Sequence, residues 1–189
     1  DIKMPKIVGI HLTGKPRRGV GPQDIALAII GAVFANGYVN NKVMEFFGDG
    51  VANLTVDERI GVDVMTTETT CLSSIWTTDE KVEEYLAAHG REQEYKEICA
   101  DDGAYYDSMI EIDLSKVECM AALPFHPSEA YTIKDLSQNA EDILRETEKR
   151  ASEQFGEKVS LNLVDKLRDG KIYIYQGIIA GCAGGMYDN

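Results

Sequence analysis

Two hydrophobic periods alternate along the chain. Residues 6–13 (Lys-Ile-Val-Gly-Ile-His-Leu-Thr) form a β-branched apolar run closed by Gly14, which predicts a strand. Pro22 then stands just inside a helix start, with Asp24 at its positive end. Residues 25–35 are apolar nearly all round, so this helix should be buried on more than one side. Residues 43–47 predict a second strand, ended by Gly48-Asp49-Gly50. Thr55 and Glu58 form a capping box for a second helix that runs to about Thr67. Residues 72–76 predict a short strand, and Thr78 the cap of a third helix over 79–89. Its Val82, Tyr85 and Leu86 make one apolar stripe. A further helix is expected over 91–99, a strand over 107–114 and another over 117–123, where Pro124 stops it. Strands that alternate with helices imply an α/β fold, here a three-layer αβα arrangement with a mainly parallel sheet.

The pattern changes after Tyr131. Residues 137–154 are highly charged, with Ala140, Ile143, Leu144, Thr147, Ala151 and Phe155 at helical spacing, as on an amphipathic surface helix. Residues 160–168 repeat this in miniature. From Ile172 a β-branched and aromatic run predicts a closing strand, after which Gly181, Gly184 and Gly185 flank Cys182. Three segments result: an α/β domain over 1–131, a charged helical linker or insertion over 132–171, and a final strand with a cysteine loop over 172–189.

Charge narrows the function. The net charge of −13 argues against nucleic acid, which demands a basic face. The compact basic cluster Lys15-Pro16-Arg17-Arg18 reads as a solvated turn or docking surface, or as a contact for an anionic substrate. No apolar run approaches the roughly 20 residues that span a bilayer. The start lacks the apolar stretch of a signal peptide and an initiator methionine, and reads as the interior of a longer, cytoplasmic protein or as the product of proteolytic processing. The four cysteines, Cys71, Cys99, Cys119 and Cys182, are far apart, so no complete metal site is written locally. Reduced thiols are expected.

Six stretches in order resemble the aconitase family of iron–sulfur hydro-lyases. Gly21-Pro22-Gln23-Asp24-Ile25 is similar to the family's S-P-K-D-V-I, and Glu45-Phe46-Phe47-Gly48-Asp49-Gly50-Val51 to its E-Y-F-G-P-G-V turn. Residues 59–68 (R-I-G-V-D-V-M-T-T-E) resemble the R-M-T-V-C-N-M-A-I-E helix of the isopropylmalate branch. Residues 107–115 resemble D-x-x-I-E-I-N-L-S, and Pro124-Phe125-His126-Pro127 resembles P-F-T-P. Residues 177–182 resemble the strand before G-S-C-T-N, where the family's first cluster cysteine lies. The likeness covers residues 6–131 and 172–189.

The resemblance implies the second domain of a hydratase acting on a di- or tricarboxylic hydroxy acid, plus the linker to one cluster cysteine. It implies a [4Fe–4S] cluster in the intact parent, none bound to this piece, and an isolated piece without activity. Other aconitase-type domains, on the same chain or a separate subunit, would complete the site. Cys182 is then a cluster ligand; read by itself it is equally a small apolar cysteine. Glu68 is then the carboxylate near the cluster-bound water; otherwise it is an exposed helical glutamate. Two departures stand out: Ala183-Gly184 where the family has Thr-Asn, and Val64 where many relatives have Asn. Arg59 binds a carboxylate or makes a structural salt link. His11, His89 and His126 read as structural, Tyr105 and Tyr106 as packing, and Cys71, Cys99 and Cys119 as packed in or near the core. The alternative is a non-catalytic α/β module, RNA-binding or flavodoxin-like.

Overall fold

The computed structural model describes residues 3–156 and 159–188. Its centre is a four-stranded sheet in the order β3-β2-β1-β4, formed by β1 (Ile7–Thr13), β2 (Val43–Phe47), β3 (Ser73–Trp76) and β4 (Ser108–Asp113). Every pairing in it is parallel. Helix α1 (Pro22–Val33) joins β1 to β2, and α2 (Val56–Met65) joins β2 to β3. Both connections step the same way across the sheet, so right-handed crossovers put both helices on one face.

That face is the core. Register aligns Val8 with Met44, and Ile10 with Phe46 and Ile110. These side chains pack with Ile25, Ile29 and Val33 of α1 and Val62 of α2. Phe46 stacks flat on Trp76 at 4.1 Å. Each fully buried Ile, Leu or Phe here contributes about 1.5–3 kcal/mol through removal from water. Asp24 anchors the start of α1 twice: its carboxylate accepts from the Gly21 amide at 2.8 Å and from the Met120 amide at 2.7 Å.

The step from β3 back to β4 runs the other way and crosses the opposite face. The segment 98–106 follows α3 (Glu80–Ala88) and covers Glu45 and Ile75. The Tyr106 ring lies parallel to Phe47 at 5.2 Å, and Phe47 stacks in turn on His11. Gly9 makes this possible: a Cβ there would come within 3.0 Å of the Phe47 ring and 3.2 Å of Tyr106. The sheet is thus sandwiched between two helices and a thin aromatic layer.

Several local expectations give way to longer-range partners. Asp79, not Thr78, caps α3; the Thr78 hydroxyl instead accepts from the Ile98 amide and donates to the Lys96 carbonyl. The charged stretch 91–99 has no apolar stripe to bury, and only Glu92–Glu94 makes a 3₁₀ turn. Within 117–123 only β5 (Met120–Ala122) is a strand, paired antiparallel across the Pro124–Pro127 turn with β6 (Ala130–Thr132), a strand not expected from the sequence. The charged region forms α4 (Ile133–Gln138) and the long α5 (Ala140–Phe155). Residues 160–168 hold a 3₁₀ turn, Val164–Lys166, rather than a small amphipathic helix. The closing strand shrinks to β8 (Lys171–Ile172), paired with β7 (Leu167–Arg168). Beyond Tyr173 no neighbouring strand among the described residues offers hydrogen bonds, and Ile174, Ile178 and Ile179 are 75%, 78% and 90% exposed.

Candidate active site

Glu68 stands on a 3₁₀ turn, Thr66–Thr69, that continues α2. A helix end leaves carbonyls without amide partners, and threonine hydroxyls can supply them. The Thr66, Thr67 and Thr69 hydroxyls donate to the carbonyls of Asp63, Val64 and Thr66 at 2.7, 3.0 and 2.6 Å. Thr70 then closes the turn in the left-handed region at φ 61°. The threonines are consumed by the backbone, and Glu68 is left as the outward polar group, its side chain 42% exposed.

The imidazole of His126 faces it, with Nε2 3.8 Å from Glu68 Oε2. The ring stacks on Phe34, at the end of α1, with centroids 4.0 Å apart. The reading of His126 as structural missed this neighbour. The only sequence signal was its place in a proline-flanked turn directly before Pro127-Ser128.

Cys182 lies elsewhere. It is exposed, on a loop where Gly181 adopts φ 87°. Gln23, in the first turn of α1, donates from its side-chain amide to the Ala183 carbonyl. The same carbonyl passes Gly61 of α2, where that helix meets Pro22. Residues 185–188 line a cleft with Thr55, Asp57, Lys81, Tyr85 and His89. Cys182 thus sits by the start of α1 and Glu68 by its end. The two contact points, Gln23 and Phe34, are separated by about 16 Å of helix rise. The structure does not bring these two residues together.

The remaining candidates have structural partners. Arg59 is buried and ion-paired with Asp79. His11 meets Glu111 at 3.3 Å, and His89 turns back onto the Tyr85 carbonyl. Tyr106 packs as expected and donates to Glu45 at 2.9 Å; burial, with Glu45 beside it, pushes its phenol up to about 12. Tyr105 does not pack and is exposed. Cys71 lies against the core, but Cys99 and Cys119 are exposed. In the basic cluster, Arg17 donates to the Val117 carbonyl and approaches Glu118 at 3.7 Å.

No three His, Cys, Asp or Glu side chains among the described residues converge in a way that could hold a metal ion. No helix among the described residues is long and apolar enough to cross a membrane.

Residues 1–189 match the aconitase family (aconitate hydratase). The chain belongs to the aconitase family. Within the family it is similar to the 3-isopropylmalate dehydratase large subunit of Acetivibrio thermocellus, at 40% identity over 134 residues, 71% of this chain and 32% of that protein. The large subunit of Elusimicrobium minutum is 33% identical over 135 residues, 71% of this chain and 32% of its own length. That of Clostridium botulinum is 38% identical over 131 residues, 69% of this chain and 31% of its own. The chain therefore matches about a third of the length of these aconitase-family relatives.

Proposed function

We propose that this chain is the part of an iron–sulfur hydro-lyase that supplies Glu68 and Cys182 to the removal and return of water on a hydroxy di- or tricarboxylic acid. Glu68 carries this reading, as an outward carboxylate on a turn whose hydroxyls are all folded back; the resemblance of residues 59–68 to the family's helix supports it as the site glutamate. The names of the relatives favour the dicarboxylate branch. Val64 and Ala183-Gly184 depart from the Asn and Thr-Asn usual in the family, which argues against a citrate-like or isocitrate-like substrate.

In the intact protein Cys182 would be one thiolate ligand of a [4Fe–4S] cluster, with the other cysteines outside this sequence. When bound, the cluster supplies a Lewis-acidic iron for the departing hydroxyl. Glu68 accepts a proton from water at Oε2 and returns it to the leaving hydroxyl. The base that takes the carbon-bound proton comes from another domain, on the same chain or a separate subunit. For both groups to serve one substrate, residues 173–188 take a different seat in the intact protein. Their exposed isoleucines offer apolar surface for a neighbouring domain to cover. The isolated chain is expected to fold without catalysing.

The test uses the full-length protein, reconstituted with iron and sulfide without oxygen. Glu68→Gln should lower kcat by about 10²- to 10⁴-fold and leave the cluster absorbance intact. Cys182→Ser should abolish the normal cluster. Full activity in the first variant, or an unchanged cluster in the second, would sink the corresponding assignment.

A further inference from the structure

We propose that His126 is a positioning residue for Glu68, directing its carboxylate through the Nε2 proton. The proposal rests on the role given to Glu68 above.

The ring is oriented from two sides. Phe34 stacks on its face at 4.0 Å. At its edge, Nδ1 lies 3.1 Å from the Ser128 amide and 3.0 Å from the Ser128 hydroxyl. A backbone amide can only donate, so Nδ1 must accept. The proton of the neutral imidazole is thereby placed on Nε2, the nitrogen that faces Glu68 at 3.8 Å. That separation is longer than a hydrogen bond, and a small rotation of Glu68 or one bridging water closes it.

The direction of control follows from mobility. The imidazole has two torsions, and stacking and the Ser128 contact hold both. Glu68 has three, and its side chain is 42% exposed. A fixed N–H beside a mobile carboxylate selects among its rotamers, and the charge on Glu68 strengthens the attraction. A histidine that only shaped the Pro124–Ser128 turn would carry the same tautomer, set by the Ser128 amide, but its Nε2 would not respond to Glu68.

Two measurements decide it. In this chain, at mildly alkaline pH, the imidazole ¹⁵N shifts of His126 should show a protonated Nε2 and a bare Nδ1. Glu68→Gln should move the Nε2 signal and leave Nδ1 in place. The opposite tautomer, or no response to Glu68→Gln, overturns the proposal. In the full-length reconstituted enzyme, His126→Phe keeps the stacking on Phe34 but deletes the donor. It should lower kcat by about ten- to a hundredfold with little change in KM. His126→Gln, whose amide nitrogen falls near the Nε2 position, should recover most of that loss, whereas His126→Asn should not. Equal losses in all three variants, or an unimpaired His126→Phe, overturn it. A fully active Glu68→Gln removes the Glu68 role itself, and this proposal with it. An inactive Glu68→Gln beside an active His126→Phe removes only the positioning.

Discussion

Arg59 and Asp79 are joined by two hydrogen bonds, Nη1 to Oδ1 at 2.9 Å and Nη2 to Oδ2 at 2.5 Å, and they tie α2 to the cap of α3. The arginine side chain is only 4% exposed and also donates to the Leu54 carbonyl. Removing its partner leaves a buried cation. Asp79→Ala is expected to cost about 2–4 kcal/mol, measured by urea unfolding at neutral pH. A cost below half a kcal/mol would show that solvent reaches the guanidinium.

The same pair predicts an acid limb. Burial pushes the Asp79 carboxyl up, but the hydrogen bonds and charge of Arg59, with the Val82 and Lys81 amides, hold it below its ordinary 3.8. Its folded pKa is depressed, so its contribution is present above the ordinary carboxylate value. It is lost as pH falls through the lowered one. Asp79→Asn should flatten the stability profile in that window, read from unfolding midpoints across the acid range.

Tyr106 makes the opposite prediction at high pH. Its phenol is raised from 10.0 to about 12 by burial and by the Glu45 carboxylate. Its contribution is complete below 10.0 and disappears as pH rises through about 12. Near-ultraviolet titration should show one late tyrosine that Tyr106→Phe deletes. The ring stacking survives that change, so stability at neutral pH should fall by only about 1 kcal/mol.

Gly48 and Gly19 separate strain from collision. Both have positive φ, 106° and 93°. A Cβ on Gly48 would lie 2.3 Å from the Leu12 carbonyl oxygen, whereas one on Gly19 meets only the Cys119 sulfur at 4.0 Å. Gly19→Ala should cost about 1–2 kcal/mol, the conformational penalty alone. Gly48→Ala should cost more than about 3 kcal/mol or prevent folding, because backbone cannot yield there. Thermal unfolding of the two variants checks the ranking.

Thiol labelling distinguishes the cysteines. Cys99, Cys119 and Cys182 are exposed, whereas Cys71 packs on the core with its sulfur 3.4 Å from the Thr66 carbonyl. Limited alkylation of the native chain, followed by mass spectrometry, should modify Cys71 at least about tenfold more slowly than the others.

The parallel sheet and its two covering helices were legible because local signals agreed. The β-branched run of β1, the proline at the start of α1 and the Thr55–Glu58 capping box each specify one element without help from distant residues. Where two neighbours competed, distance decided. Thr78 and Asp79 are both good caps, and Arg59 selected the aspartate. The run after Ile172 has strand composition, but a strand exists only through a partner, and pairing stops there. The role proposed for Glu68 rests on the family motif over residues 59–68. His126 was not legible, because its pairing with a residue on another element leaves no periodicity or spacing in the chain.

Helix α1 fastens the Cys182 loop at one end through Gln23 and Ala183, while Phe34 supports His126 at the other. On the proposed function this makes Gln23 a competitor of assembly. The hydrogen bond that seats the cysteine loop on this domain must be surrendered before the thiol can reach Glu68. Loosening that clasp would weaken the isolated domain and ease its incorporation into the whole, so stability and competence would move in opposite directions at a single side chain.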